Sequence, residues 1–331
     1  MIQLLTPKKG ETVSLLQEKH LSYIAKPTND PTDRVDWLNL RVVQDDLSYP
    51  KFVHFSYLPA TDGTLILTRK GGGEPIVFEA KNGEIDVPNL LIATDYEWQV
   101  RIGEEVSPTW EFSTDTQAPR MLYVDGISNV RDFGGFETAD GKYRVRQGLL
   151  YRTSEMDTHV TITEAGKQTF YDLGIRTDLD IRGIKDEFRA PALDTDRVKW
   201  VNVALAAYGE IYNEEQMKRY RETYDVMVDP ESYPVICHCW GGIDRTGCWL
   251  YILGAMLGVS KDDLELDYEM SSFSRWNRRS RYSEQFGEFL KGLHAYGDNV
   301  QDAAIGFLRA CGVTDEEMDR LREIFLEKKE N

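Results

Sequence analysis

The chain has 331 residues, of which 41% are hydrophobic, and a formal net charge of −17 at pH 7. This length exceeds what one hydrophobic core usually supports, so we expect two domains. The negative charge argues against nucleic acid as a partner, because a phosphate backbone requires a basic surface. No apolar run reaches the length of about 18 residues that a membrane-spanning helix needs.

The first third of the chain has the pattern of a β domain. Short apolar or alternating runs are separated by turn signals such as 61–63 and 81–83. Residues 96–102 alternate clearly, and residues 91–100 resemble the late strand of fibronectin type III-like domains. We therefore predict an all-β sandwich (fibronectin type III/Ig-like) over 1–117, ending in the polar stretch 113–119. The predicted strands are 39–43, 53–58, 64–69, 75–79, 96–102 and 109–112.

After residue 120 the pattern changes to alternating strands and helices, which predicts an α/β domain over 118–331. Cap-and-acid spacing begins two of the helices, at 260–263 and 314–317. We expect a parallel-rich central sheet flanked by helices. The predicted strands are 149–151, 177–181, 200–203 and 235–237, and the predicted helices are 163–173, 214–227, 246–257, 261–268, 283–295 and 314–326.

The segment HCWGGIDRTG at 238–247 is the most informative part of the chain. It lies between a predicted buried strand and an apolar helix, where backbone N–H groups and the helix dipole favour an anion. Such a loop stabilises a thiolate on Cys239, and Arg245 can grip two phosphate oxygens at once. A nucleophile, an anion-binding loop and a guanidinium clamp together indicate phosphoryl transfer through a cysteinyl-phosphate. The predicted phosphate-binding loop comprises Trp240, Gly241, Gly242, Ile243 and Gly247.

This loop resembles the signature of cysteine-dependent protein tyrosine phosphatases, and its Asp before the Arg resembles the bacterial tyrosine phosphatase-like group. Three further segments resemble that group: NVRDFGG at 129–135, GLLYRT at 148–153, and GIRTDLDIR at 174–182 with Glu187 beyond it. The resemblance covers about residues 118–331. It implies a metal-independent phosphatase that needs no cofactor and acts on a phosphorylated protein, a phosphopeptide or a small phosphomonoester.

The resemblance also implies residue roles. Thr246 would stabilise the departing thiolate, and His238 would hold the loop from behind, in a structural or a tuning role. No Trp-Pro-Asp sequence occurs in the chain, and the resemblance to the bacterial group, whose general acid is the Asp inside the loop, implies Asp244 as the acid here. The alternative reading of Asp244 is a carboxylate paired with an arginine, in which case Asp180 and Asp132 are the reserve candidates.

The loop also bears on the expected roles of the other cysteines and on the expected cellular compartment. Cys237 and Cys248 are expected to pack, although either could protect Cys239 through a reversible disulfide, and Cys311 fits a helix core face. A catalytic thiol needs a reducing compartment, which favours the cytoplasm. No signal peptide is visible, and one removed before residue 1 would leave no trace. The oligomeric state is left open.

Substrate choice is less determined. Triple-specificity members of the group carry Lys before the loop Asp, where this chain has Ile243, which favours phosphotyrosine over a phosphoinositide. Against this, a cluster of arginines could bind further phosphates beside Phe273, Trp276 and Tyr282, or could be a solvated or ion-paired surface. An inositol-polyphosphate phosphatase and a non-catalytic phosphate-binding adaptor are the alternatives. The candidate substrate-binding arginines are Arg275, Arg278 and Arg279, with Arg281 in the same cluster and Arg152 apart from it.

Overall fold

The computed structural model describes residues 1–26, 46–183, 190–276 and 278–329, so the predicted strand at 39–43 and Glu187 lie outside the described residues. The chain divides into two compact units. The first contains Met1–Lys19 and Pro50–Tyr123, and the second contains His20–Tyr49 and Val124–Asn331. Residues 20–49, which the sequence pattern grouped with the β domain, thus belong to the second unit.

The first unit is built from β-strands. They form two sheets, one in the order β1-β3-β6 and the other in the order β2-β9-β7-β4-β5, with β8 paired to β7. The strands of these sheets are β1 (Gln3–Thr6), β2 (Glu11–Val13), β3 (Val53–Leu58), β4 (Gly63–Arg69), β5 (Ile76–Ala80), β6 (Glu84–Val87), β7 (Asp95–Ile102), β8 (Glu105–Val106) and β9 (Trp110–Thr114). A further short strand, β10 (Arg120–Met121), belongs to neither of these two sheets.

Alternation along the strands of this unit produces its core. In β7 the side chains of Tyr96, Trp98 and Val100 are buried, as the pattern at 96–102 predicts. Phe55 of β3 packs edge-on against Trp98 at a ring-centroid distance of 5.1 Å, so side chains from both sheets share one apolar core. The strands predicted at 53–58, 64–69, 75–79 and 109–112 correspond to β3, β4, β5 and β9.

The second unit has a central sheet in which β11, β13, β16, β14 and β15 lie side by side in that order. β16 runs parallel to both of its neighbours, and β14 runs parallel to β15, whereas β11 is antiparallel to β13. The strands are β11 (Arg131–Asp132), β12 (Tyr143–Val145), β13 (Leu150–Thr153), β14 (Thr177–Asp180), β15 (Lys199–Asn202), β16 (Val235–His238) and β17 (Leu326–Lys328). β12 pairs with β17 in a separate small sheet.

The α-helices described in this unit include every predicted one, together with two that were missed, α1 and α7. The apolar helix α4 is buried along most of its length and packs against α5, α7 and α8. Both predicted caps are present, on Ser260 and Thr314. The helices are α1 (Glu18–Ile24), α2 (Glu164–Asp172), α3 (Glu214–Met227), α4 (Asp244–Leu257), α5 (Lys261–Met270), α6 (Glu284–Leu293), α7 (Val300–Cys311) and α8 (Asp315–Phe325), with 3-10 turns at Tyr208–Tyr212, Pro230–Ser232, Ser271–Phe273 and His294–Tyr296.

A search for membrane spans gives a negative result. None of the helices within the described ranges combines the length and the apolar character that crossing a bilayer requires.

Candidate active site

The loop carrying Cys239 lies at the carboxyl edge of the central sheet. β16 ends at His238 and α4 begins at Asp244, so residues 239–243 connect a buried strand directly to a helix N-terminus. Because β16 has a parallel neighbour on each side, this connection sits where ligands commonly bind in α/β sheets. Cys239 is only 3% exposed. The predicted nucleophile is therefore buried in a loop between a parallel strand and a helix N-terminus.

One glycine determines the shape of this loop. Gly242 has φ +64°, a conformation that L side chains rarely adopt. A Cβ atom at this position would lie 2.0 Å from the carbonyl oxygen of Thr153. Any other residue at 242 would therefore strain the backbone and push the loop away from β13.

Two buried side chains hold the loop by its carbonyl groups. Asn129 donates from Nδ2 to the carbonyl oxygens of Gly241 and Gly242, at 3.0 and 3.1 Å. Arg152 donates from Nη2 to the Gly242 oxygen at 2.6 Å. Because a peptide group is planar, fixing these carbonyls also fixes the N–H groups of Gly242 and Ile243 on the opposite side. The orientation of the loop amides is thus set before any ligand arrives.

These contacts belong to a larger set that we call the buried arginine cluster: Arg131, Arg152, Asp267, Ser271 and Asn129. Arg131 Nε lies 2.9 Å from Asp267 Oδ1, and Arg152 donates to Asp267 Oδ2. Ser271 Oγ accepts from both guanidiniums, at 3.1 and 3.2 Å. Burial alone would raise the pKa of Asp267, but the two arginines outweigh it and lower that pKa.

The position of Arg152 corrects one prediction. Its side chain is completely buried, and its guanidinium is engaged by Asp267, Ser271 and the Gly242 carbonyl. It therefore supports the loop backbone from within the protein instead of contacting substrate.

His238 lies behind the loop. Its Nε2 is 3.0 Å from Asp178 Oδ1 on the neighbouring strand β14, and its Nδ1 is 3.3 Å from the Cys239 carbonyl oxygen. Burial opposes the charged imidazole, but Asp178 and Asp180 outweigh it and raise the pKa of His238 to about 9. A buried imidazolium beside the nucleophile adds positive charge where a thiolate would form.

Asp244 is engaged on both carboxylate oxygens. Arg279 donates to it in a bidentate manner, from Nε at 2.6 Å and from Nη2 at 2.8 Å. The hydroxyl of Tyr208 donates to Oδ1 of the same carboxylate. Burial raises the pKa of Asp244, but the hydrogen bonds from Arg279 and Tyr208 and the charges of Arg279 and Arg245 produce a net lowering. The arginine pairing that was weighed against a catalytic role is thus present in the structure.

The remaining loop residues occupy the first turn of α4. Thr246 is completely buried, and its hydroxyl has no hydrogen-bond partner within the described part of the chain. Arg245 is half-buried one residue earlier. Gly247 packs closely on Tyr268, since a Cβ there would approach the ring to 3.0 Å. The Thr246 hydroxyl thus lies in the first turn after the loop, without a hydrogen-bond partner among the described residues.

Aromatic side chains lie next to the loop and form what we call the aromatic rim: Trp240, His159 and Trp276. Trp240 is 41% exposed, and its ring stacks on His159 at a centroid distance of 4.3 Å. His159 is also 6.5 Å from Trp276. Glu155 supports the rim, because it bonds His159 Nδ1 at 2.7 Å and its N–H donates to the Trp240 carbonyl. The rim offers exposed ring surface beside the nucleophile.

The four arginines between 275 and 281 lie in different surroundings. Arg281 is buried and pairs with Glu265 and Glu269, both at 2.9 Å, so it is a structural ion pair. Arg279 pairs with Asp244, whereas Arg275 is exposed near the Trp276 ring and Arg278 is half-buried.

The aromatic residues near these arginines also differ in exposure. Phe273 is completely buried against His20 and Tyr23 and offers no surface for stacking, in contrast to the expectation. Tyr282 is 39% exposed.

The reserve acids and the other cysteines have structural surroundings. Asp132 accepts from the N–H groups of Gly134 and Gly148, both at 2.7 Å, and Asp180 pairs with Arg182. All four cysteines are free and buried. Burial raises the pKa of the thiols of Cys237, Cys248 and Cys311, the last to about 12. Within the described ranges, no group of three or more His, Cys, Asp or Glu side chains is arranged to hold a metal ion.

The sequence pattern missed several residues of the site. Asn129 and Asp267 were not assigned a role, although Asn129 opens one of the matching segments and has φ +63°. Tyr208, also at positive φ, and Tyr268, whose hydroxyl is 2.7 Å from that of Tyr208, carry no local signal. They reach the loop only through the tertiary fold.

The chain is similar to two tyrosine phosphatases of known name. It is 28% identical over 200 residues to a Cupriavidus necator protein provisionally named a tyrosine-protein phosphatase, covering 52% of this chain and 71% of that protein. It is 21% identical over 205 residues to the tyrosine-protein phosphatase of Nostoc commune, covering 49% and 69%.

Solved structures with some similarity include TpbA of P. aeruginosa in complex with phosphotyrosine, at 15% identity and a TM-score of 0.33, covering 52% of this chain and 91% of that one. The core catalytic domain of a PP-IP phosphatase from S. cerevisiae matches at 16% identity and a TM-score of 0.30, covering 39% and 74%. A family model described as "Tyrosine phosphatase family" matches residues 122–327 of the chain. Since this match spans more than half of the chain and contains the whole Cys239 loop, the protein belongs to the tyrosine phosphatase family.

Proposed function

We propose that the protein hydrolyses phosphomonoesters through a cysteinyl-phosphate, with phosphotyrosine in proteins or peptides as its main substrate class. The observation that carries this proposal is the Cys239 loop. Its backbone is fixed by Gly242, Asn129 and Arg152 and opens at the N-terminus of α4. Such a preformed set of amides stabilises the charge of a transferring phosphoryl group without reorganisation.

The reaction has two steps. In the first, the Cys239 thiolate forms a bond to phosphorus while the bond to the ester oxygen breaks, and Asp244, which enters this step protonated, gives its proton to the departing oxygen and is left as a carboxylate. In the second, Asp244 takes a proton from water, whose oxygen attacks phosphorus and expels the thiolate. Arg245 grips two equatorial oxygens throughout, and the unoccupied Thr246 hydroxyl donates to the leaving thiolate.

The aromatic rim supports an aryl phosphate as substrate. Trp240 presents exposed ring surface at the loop, with the half-buried Trp276 near Gly241, and a tyrosine ring can bury apolar area against them while its phosphate reaches Cys239. The similar enzymes named tyrosine-protein phosphatases agree with this choice. A polyphosphorylated substrate has less support, because Arg279 and Arg281 already pair with carboxylates of the protein.

The proposal also concerns the fold of the first unit. Its two sheets around one core support an assignment as a β-sandwich of the fibronectin type III-like kind, preceding the phosphatase domain. We assign it no step in the reaction. The chemistry uses neither a metal nor a cofactor, and the reduced state that Cys239 requires fits the cytoplasm.

The decisive experiment is replacement of the nucleophile. Cys239→Ser should lower kcat on a tyrosine phosphopeptide by about a thousandfold or more, because an alcohol is hardly ionised at neutral pH. Cys311→Ser is the matched control, since Cys311 is also buried and free but lies in α7, and it should retain wild-type kcat. Phosphate release is measured without metal, and mass spectrometry should find phosphate trapped on wild-type Cys239.

Two outcomes would contradict the proposal. Equal activity of the two variants would remove Cys239 from the chemistry. A wild-type protein that binds phosphotyrosine without any thiol-dependent turnover would instead indicate a non-catalytic adaptor. A panel of phosphoserine peptides, phosphoinositides and inositol phosphates, run beside phosphotyrosine, tests the substrate class.

A further inference from the structure

The arrangement around Asp244 carries an inference that rests on the proposed function and deepens it. Its carboxylate receives a bidentate guanidinium from Arg279 and a hydroxyl from Tyr208, so both oxygens are engaged. A carboxylate that serves only to begin a helix needs neither partner, because the α4 N-terminus already favours its negative charge.

Tyr208 is held in place from several directions. Its backbone has φ +56°, which is uncommon for a residue with a large side chain, and its N–H lies 3.3 Å from Cys248 Sγ on α4. Its hydroxyl also contacts that of Tyr268 at 2.7 Å, and the Tyr268 ring stacks on Phe286 at 4.4 Å. These contacts fix the Tyr208 hydroxyl, and through it they fix the direction of the Asp244 carboxylate.

We propose that Arg279 and Tyr208 are positioning residues that hold Asp244 as an oriented carboxylate, ready to accept the proton of the attacking water in the hydrolytic step. This assigns Arg279 a role different from binding the substrate phosphate directly. It also gives Tyr208, which the signature loop does not contain, a part in catalysis through Asp244.

The electrostatic surroundings agree with the geometry. Burial favours the protonated form of Asp244, but its hydrogen bonds and neighbouring positive charges outweigh this effect and lower its pKa. The pKa of Tyr208 is raised, first by burial and then by Tyr268 and Asp244, so this hydroxyl remains a donor. The titratable or charged groups that face Asp244 are Arg279, Tyr208, Arg245, Tyr268 and Cys248.

A direct test does not depend on turnover. In the full-length Cys239→Ser protein, the 13C signal of the Asp244 carboxyl is followed by NMR as pH is varied, with Asp244→Asn identifying the signal. Arg279→Gln should move the titration midpoint of Asp244 to higher pH, because the charged partner is removed. Tyr208→Phe should move it in the same direction by a smaller amount. An unchanged midpoint in Arg279→Gln would overturn the proposal.

The chain offers a closely matched control. Arg221 donates in a bidentate manner to Glu317, at 2.6 Å for both bonds, and the two side chains are about as exposed as Arg279 and Asp244. Arg221→Gln removes an equivalent pair in another part of the unit. It should leave the Asp244 midpoint unchanged, and a shift equal to that of Arg279→Gln would attribute the effect to net charge alone and overturn the proposal.

Kinetics separate positioning from substrate binding. In otherwise wild-type protein, Arg279→Gln should lower kcat on a tyrosine phosphopeptide roughly tenfold and shift the acidic limb of its pH profile. The shift should vanish when Asp244→Asn is added. A rise in KM with unchanged kcat and unchanged pH profile would show that Arg279 only binds substrate. A wild-type protein without turnover would refute the proposed function, while the NMR titration would still test the pairing.

Discussion

Two arginine–aspartate assemblies lie beside the catalytic loop and differ mainly in burial. In the buried arginine cluster, Arg131 and Arg152 are 0% exposed and Asp267 is 5% exposed. In the second assembly, Arg279 and Asp244 are 25% and 32% exposed. A buried charge that loses its partner is very costly, whereas a half-exposed charge can turn to water. The first assembly therefore supports the loop through charges that are shielded from water, whereas the charges of the second assembly remain partly in contact with water.

The largest loss of stability is expected on replacement of Asp267, in the buried arginine cluster. Asp267→Ala leaves two buried guanidiniums facing each other without a counter-charge, and it should lower the free energy of unfolding by about 3–5 kcal/mol. Urea denaturation at pH 7 measures the loss. Glu317→Ala, which removes a carboxylate from a half-exposed pair and its bond to the Thr314 N–H in a capping box, should cost less, about 1–2 kcal/mol. Similar losses in the two variants would show that burial does not determine the cost of removing a carboxylate from an arginine pair.

The buried imidazolium of His238 predicts a pH dependence of stability. Its pKa rises from an ordinary 6.5 to about 9 in the folded protein, so the folded state holds the proton more tightly than the unfolded state does. The stabilisation is therefore complete below about pH 6.5 and is lost as pH rises through about 9, with a size on the order of 3 kcal/mol.

The measurement for His238 is the difference in unfolding free energy between wild type and Asp178→Asn from pH 6 to pH 10. This difference should shrink across the upper part of the range, since Asp178 is the main partner that holds the proton. A difference that stays constant with pH would mean that His238 is neutral in the folded protein.

The smallest effect on stability is expected at the half-exposed pair. Arg279→Gln should change the free energy of unfolding by about 1 kcal/mol or less, although it is expected to lower kcat. Arg281→Gln provides the contrast, because Arg281 lies two residues further on but is buried between Glu265 and Glu269. The second variant should be clearly less stable than the first by thermal unfolding. If Arg279→Gln were the less stable of the two variants, burial would not explain which arginine between 275 and 281 stabilises the fold.

Local patterns predicted much of the fold. The alternation at 96–102 became β7, and the helix predicted at 214–227 has the same bounds in the structure. Short strands such as β8 and β11 were missed, because two residues carry too little periodicity to be recognised. Helix α1 was missed because its short sequence is surrounded by the pattern of a β domain.

The site was predictable only where its residues are close in sequence. The segment at 238–247 contains the proposed nucleophile Cys239, the proposed clamp Arg245 and the carboxylate of Asp244 together. Asp267 reaches Arg131 across 136 positions, and Asn129 reaches Gly241 across 112, so no local spacing indicates either contact. The arginines at 275–281 resembled a single basic surface, because their sequence does not show which side chains face carboxylates.

The support of Asn129 also has a consequence for how the enzyme can be divided. Its backbone N–H donates at 2.7 Å to Ser48 Oγ, and Leu47 receives a hydrogen bond from His20 and donates one to Phe273. Residues far upstream of the family signature therefore brace the loop that would hold phosphate. A fragment beginning at 118 would retain every signature residue yet lack this brace, and phosphate should bind it more weakly than it binds the whole chain. The second unit is thus not one uninterrupted stretch of sequence, and transferring it to another protein requires the upstream segment that carries His20, Leu47 and Ser48 as well.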